Sequence, residues 1–346
     1  MTKLLIILSL LMTFSFCDKN DTDTLKKAKW IEQAFNTLKS NKYPKIKAIS
    51  WWHENFDNSL LRIDSSPESL EAYRTGIADS LFLSNSAVFL NNKLIEAETG
   101  IYHSAFPDFG GTEDIVGRDR VLSFEALAKK NIIWAYFSNN WYHDIQFPKT
   151  EVDIIKNSGK IPFIRLMPRT NFDEGGPDPN YTMQNIIDGN FDADLIQWAK
   201  EAAATGIPLL AEFGTEMNGN WFPWNGQYNG GETTTGYGNP VLPNGPERFR
   251  DAYRHIIDIC RQNGANNITW FFHVDAYGEP DADWNEIQNY YPGDEYIDWL
   301  GVSIYGPQES EEDYQEFDEI LKDVYPKLTA LSDMPIAILE FAVTEM

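Results

Sequence analysis

An α/β chain folded as a single-domain (β/α)8 TIM barrel is predicted by three observations. Eight short runs of the sequence are apolar at nearly every position rather than at alternate ones, as strands buried on both faces must be. Longer amphipathic stretches separate the runs, the order expected when helices cover both faces of a parallel sheet. No break in composition divides the 346 residues, and barrels of this kind reach that size as one domain.

The runs lie at residues 45–52, 100–106, 131–137, 160–166, 207–213, 267–274, 298–305 and 334–341. Helical spacing is read at 24–39, 69–78, 123–129, 150–157, 193–204, 247–262 and 314–321. In a (β/α)8 barrel the loops at the strand C-termini converge on the mouth, so residues there are the candidates for function. Glu216 follows the fifth run, Glu340 closes the eighth, and His53, Arg165, His273 and Tyr305 hold equivalent places on other runs.

Glu216 begins the stretch Glu216-Met217-Asn218-Gly219-Asn220-Trp221-Phe222-Pro223-Trp224, which sets a carboxylic acid beside paired indoles. Cleaving a glycosidic bond needs an acid at the leaving oxygen, a second carboxylate across the anomeric carbon, and flat aromatic faces for the C–H surfaces of sugar rings. Glu340 supplies the second carboxylate. The segment 221–246, rich in Gly, Asn, Thr and Pro, is expected to wall the cleft. Trp141, His143, Trp221, Trp224 and Trp284 are the expected sugar platforms, with Arg165, Asn218, His273 and Tyr305 as further substrate-binding residues.

A formal charge of −24 argues against nucleic acid or an anionic membrane surface as partner, since both are held through clustered Lys and Arg. The expected partner is a polysaccharide or oligosaccharide substrate, and the chain is expected to act as a monomer. Lys3 followed by the apolar residues 4–16 has the form of an export signal. Cys17, ahead of the polar run 18–23, fits a lipobox with residues 18–23 as a short tether, which predicts a cell-surface or periplasmic lipoprotein and otherwise a secreted protein. Membrane contact is then expected only through that lipid. The other cysteine, Cys260, stands alone in a helix, so neither a disulfide framework nor a cysteine metal site is expected. No spacing typical of metal ligands or phosphate-binding loops is present, and neither metal nor cofactor is expected.

The stretch from Glu216 to Trp224, taken with Tyr291-Pro292-Gly293-Asp294-Glu295-Tyr296-Ile297-Asp298-Trp299-Leu300-Gly301-Val302-Ser303-Ile304-Tyr305-Gly306, resembles glycoside hydrolase family 26, whose members are mostly endo-β-1,4-mannanases. The resemblance spans the chain from about Thr24, so that 24–346 is the expected catalytic barrel. It implies Glu216 as general acid/base, Glu340 as nucleophile and Tyr305 as a hydrogen-bonding neighbour of the nucleophile. It further implies a retaining endo-hydrolase of a neutral β-linked polysaccharide, β-1,4-mannan first. The alternatives are a mixed-linkage β-glucanase or β-1,3-xylanase of the same family, or a non-catalytic surface glycan-binding lipoprotein. Burial against Trp221 and the charge of Glu340 are both expected to keep a proton on Glu216.

Two departures stand out. Family mannanases often carry Arg four residues before the acid/base and His immediately before it, where this chain has Glu212 and Thr215. A charged Glu212 needs a partner, for which Arg165 is the candidate. The order of elements also looks rotated, since the family carries these two residues on its fourth and seventh strands and here they follow the fifth and eighth. The segment 28–70 resembles the family's closing helix, strand and helix, so a circular permutation is expected, with residues 45–52 closing the barrel beside 334–341.

Overall fold

A computed structural model of the chain describes residues 19–56, 58–172, 175–309 and 312–345, with side chains from residue 26 onward. The expected export signal and Cys17 lie outside the described residues. Eight parallel strands form the barrel: β1 (Ile46–Trp52), β2 (Ile101–Phe106), β3 (Trp134–Asn140), β4 (Ile161–Met167), β5 (Leu209–Phe213), β6 (Ile268–Asp275), β7 (Trp299–Tyr305) and β8 (Ile336–Ala342). Each strand pairs with the next in chain order, and β1 pairs with both β2 (Ala48 opposite Tyr102) and β8 (Ile46 opposite Ile336), which closes the ring. The principal helices are α1 (Lys19–Lys39), α2 (Pro67–Ile77), α3 (Arg118–Ala128), α4 (Lys149–Asn157), α5 (Asp192–Ala204), α6 (Asn244–Gln262) and α7 (Phe317–Leu331).

All eight expected strands are present, and the largest displacement is in β3, which starts three residues late. Glu125 caps the Ile132 amide and the Asn131 carbonyl binds His103, so these two residues stand outside the ladder, which the backbone joins through Ile133. α7 runs ten residues past its expected end and through Pro326. Ile320, Leu321, Val324 and Leu328 keep one buried stripe along it, and that burial outweighs the hydrogen bond that proline removes. α1 is helical from Lys19, so residues 19–23 continue the helix where a tether was expected.

The sequence reading had no place for the hairpin of Val88–Leu90 and Lys93–Ile95. Asn91 and Asn92 both take positive φ at its two-residue turn, the geometry of a type I′ connection. It caps the N-terminal end of the barrel: the Leu94 amide donates to Thr269 Oγ1 at 2.8 Å, and Trp299 Nε1 donates to the Leu94 carbonyl at 2.9 Å. The mouth at the other end is left open.

Contact between α1 and α2 is close because Gly76 lies against the ring of Phe35. A Cβ at residue 76 would sit 2.1 Å from Phe35 Cδ2, and Phe35 is itself wedged between Tyr73 and Phe82. Gly76→Val is expected to lose about 1–3 kcal/mol through overpacking. A urea midpoint equal to that of the parent chain would contradict this packing.

Candidate active site

Glu216 owes its position to a strained turn. After Phe213 the chain leaves β5 through Gly214 at φ 58°, and Glu216 itself takes φ 50°, rare for a residue with a side chain. Two hydrogen bonds hold it there: its amide donates to the His273 carbonyl at 3.0 Å, and its carbonyl accepts from the Gly219 amide at 2.8 Å. Trp221 Nε1 donates to Glu216 Oε2 at 2.8 Å. Glu340 lies within β8 in register with Ser303, so its side chain projects from a rigid strand. Its Oε1 accepts from Arg165 Nη2 at 3.1 Å and its Oε2 from the Tyr305 hydroxyl at 2.7 Å.

A carboxylate oxygen of Glu216, one of Glu340 and a ring nitrogen of His273 all lie within 4.8 Å of one another. His273 is not free to bind a metal with them. Its Nδ1 is engaged by Glu212 and Thr215, both at 2.8 Å, and its Nε2 by Ser303 Oγ at 2.9 Å.

Beneath the pair lies a buried charge network. Arg165 reaches three carboxylates, Glu113 at 2.8 Å, Glu212 at 3.3 Å and Glu340 at 3.1 Å. The Tyr136 hydroxyl donates to Glu212 from the other side. Burial works against charge on Glu212, yet His273 and Arg165 outweigh it and hold the carboxyl below its ordinary range. For His273 burial likewise opposes the charged form, and Glu212 outweighs it, raising its pKa above the ordinary value. Glu212 therefore does have the Arg165 partner its place in an apolar strand demanded, and a second one in His273.

Burial, above all, pushes both Glu216 and Glu340 up to about 7. The like charge of Asp275 adds to the rise at Glu216, where Glu340 was the expected source, and Trp221 opposes it by donating its hydrogen bond. At Glu340 the guanidinium of Arg165 is the main opposing force. So close a pair titrates jointly, and Arg165 settles where the proton sits: Glu340 carries the charge and Glu216 the proton. Activity through this pair requires one of each. The rate is expected to rise with pH as Glu340 ionises and to fall as Glu216 ionises near pH 7. A plateau extending to pH 9 would contradict that assignment.

A family model described as glycosyl hydrolase family 26 matches residues 178–338. Over that stretch the chain is similar to this family. It is 28% identical over 229 residues to endoglucanase H of Acetivibrio thermocellus, covering 65% of this chain and 23% of that protein. It is 25% identical over 135 residues to a β-1,3-xylanase of a Vibrio species, covering 39% and 25%. A third relative is a mannan endo-1,4-beta-mannosidase of Caldalkalibacillus mannanilyticus, 27% identical over 146 residues and covering 42% and 24%. The chain thus spans about a quarter of the length of the curated relatives it matches.

The cleft has a volume of about 690 Å³ and is lined by Glu216, Glu340, Arg165, Trp221 and Tyr305 among the residues singled out above. The other expected contacts lie elsewhere. Trp141 is packed against Tyr181 and Phe213 in the core, and Trp224 is buried with Nε1 bonded to the Thr215 carbonyl, so neither has a free face for a sugar. His143 is exposed away from the cleft lining, and Trp284 packs near Gly226. Asn218 is buried and clamps Asp275 through both backbone groups. His273 sits below the lining, bonded as described, and His53 accepts from the Ile63 amide on the far side of β1. Of segment 221–246 only Trp221 and Phe222 line the cleft; beyond them the chain folds onto the start of α6, where the Asn244 amide donates to the Thr233 carbonyl.

Several lining residues carried no signal in the sequence reading, chiefly Trp52, Glu54, Phe56, Glu113, Asp275 and Tyr277. The first three alternate along one extended segment, and that spacing was the cue available to find them.

Proposed function

We propose that this chain is a retaining endo-glycoside hydrolase of neutral β-linked polysaccharide, with β-1,4-mannan the first substrate to test. The observation that carries the mechanism is the approach of Glu216 and Glu340 to within 4.8 Å. Inverting enzymes hold their carboxyl groups roughly 6.5–9.5 Å apart to admit a water, whereas direct attack by one carboxylate needs about 5–5.5 Å. Glu340, held ionised by Arg165 and Tyr305, attacks the anomeric carbon while Glu216 gives its proton to the departing oxygen. A glycosyl ester on Glu340 results. Glu216, now a carboxylate, takes a proton from water as that water displaces Glu340, restoring both groups and the original anomeric configuration.

The three relatives named above are an endoglucanase, a β-1,3-xylanase and a mannan endo-mannosidase, which supports the neutral β-linked class more firmly than any one polymer in it. Product release from mannan, glucomannan, mixed-linkage glucan, β-1,3-xylan and charged glycans tests the reading. Oligosaccharides of unchanged anomeric form are the expected result, and binding without release would favour a glycan-binding protein instead. The pattern of residues 1–17 supports export with lipid on Cys17, which mass analysis of the amino-terminal peptide checks. Glu216 after the fifth strand and Glu340 on the eighth, each one strand later than in family 26, support a permuted order of elements. A gene rearranged to start at residue 79 and end at 78 should then still give a folded barrel, and loss of folding would count against it.

A further inference from the structure

Given a glycan in this cleft, we propose that Glu54 and Phe56 form a sugar-binding subsite on the glycone side, one residue beyond the sugar held on Glu340, with Trp52 as its base. The pyranose ring stacks on Phe56 and exchanges hydrogen bonds between its hydroxyls and the Glu54 carboxyl group.

The placement follows from strand geometry. β1 ends at Trp52, and after two intervening residues Asn55–Phe56 pair antiparallel with Ser59–Leu60, so side chains alternate along the segment. His53 and Asn55 point away: His53 packs on Phe124, and Asn55 Oδ1 accepts from the Arg62 amide at 3.0 Å. Trp52, Glu54 and Phe56 face the cleft together. Trp52 is stacked on Phe106 at 4.0 Å and lies beneath the guanidinium of Arg165, the same group that binds Glu340. β1 is the neighbour of β8, and in a ring of eight it stands opposite β5, whose turn carries Glu216 and Trp221. The leaving group therefore departs toward Trp221, and the glycone extends toward Phe56.

Phe56 is 43% exposed. A single exposed phenylalanine calls for no explanation. This one differs because it stands in the wall of the catalytic cleft on a hairpin fastened at every side. The Leu60 amide donates to Thr344 Oγ1 at 2.8 Å, and Ser59 Oγ donates to the Gln308 carbonyl at 2.7 Å. From α1 the buried Lys27 spends all its protons on the carbonyls of Leu60 and Arg62 and on Ser65 Oγ. Such a platform is set in place before any ligand arrives, which is how an aromatic contact keeps its binding energy.

Glu54 has no hydrogen-bond partner among the described residues. Burial and the charges of Glu113 and Asp108 push it up to about 8, against the lowering influence of Arg165 and Arg120. At pH 7 it is mostly protonated, so it offers one donor and one acceptor, the pair that a sugar hydroxyl satisfies.

The test compares β-1,4-mannohexaose with 4-nitrophenyl β-mannoside, replaced by the hexaose and aryl glycoside of glucose or xylose if the polymer panel identifies those sugars. Phe56→Ala is expected to lower kcat/KM on the hexaose roughly tenfold more than on the aryl glycoside, mostly through KM, with Phe56→Tyr restoring it. Calorimetry in the Glu340→Ala background should show hexaose affinity falling above pH 8 with Glu54 present and not with Glu54→Gln. Equal losses on both probes, or identical pH profiles of binding, overturn the subsite while hydrolysis stands. A parent chain that cuts nothing overturns hydrolysis, and hexaose binding with and without Phe56→Ala then decides the subsite alone.

Discussion

Glu340→Ala is expected to lower turnover by about four orders of magnitude or more, while the chain stays folded. The size follows from the residue's place in the mechanism. Without its carboxylate no covalent intermediate forms, and the second step has nothing to displace, so both halves of the reaction are lost together. Folding survives because Arg165 retains Glu113 and Glu212 and is not left as a lone buried charge. The space vacated by the side chain faces the anomeric carbon from the nucleophile's side, so added azide should restore cleavage and give a glycosyl azide of inverted configuration. Reaction progress by chromatography and product configuration by NMR measure both effects. Appreciable turnover by Glu340→Ala without azide would remove Glu340 from the nucleophile's role.

The barrel was legible in the sequence because a parallel strand covered on both faces has to be apolar at successive positions, and few other elements of that length are. Glu212 was legible for the opposite reason: a charge inside such a run is too costly to stand unpaired, which pointed to Arg165 before any coordinates. The sugar platforms were not legible. A tryptophan near a strand end is as useful for filling the core as for meeting a sugar, and Trp141 and Trp224 are fully enclosed while Trp221, three residues from Trp224, is not. Which neighbour faces the cleft depends on the phase of alternation at the strand end, and composition carries no record of it. For that reason His53 drew attention while Trp52 and Glu54 on either side did not. Asp275 was missed because Asp before Tyr277 forms a turn, its Oδ1 accepting the Tyr277 amide, and a turn aspartate gives no hint of a charge acting on Glu216.

Arg165→Met should cost about 3–5 kcal/mol of stability and also shift the chemistry, because one guanidinium serves both. With Glu216 protonated, the cluster around Arg165 sets Glu113, Glu212 and Glu340 against Arg165, with His273 beside Glu212. Removing Arg165 leaves three buried or half-buried carboxylates without their shared guanidinium, and methionine fills the space without offering a donor. Stability falls because those charges lose compensation they cannot recover from water. At Glu340 the loss of the guanidinium raises the carboxyl pKa further, so a proton remains on the nucleophile to higher pH. Attack needs the ionised form, and the acid limb of the rate profile therefore moves upward in pH, with turnover at pH 6 lower by about 100-fold. Arg165→Lys separates the two effects: it keeps the charge and most of the stability, but one ammonium cannot meet three carboxylates in the fork geometry of arginine, so the acid limb should return only part of the way. Adding Glu212→Gln to Arg165→Met removes one uncompensated charge and should recover stability relative to the single variant. Urea unfolding and rate profiles across pH read these outcomes. An unshifted acid limb together with an unchanged urea midpoint in Arg165→Met would mean that Arg165 does not hold the nucleophile in its charged state.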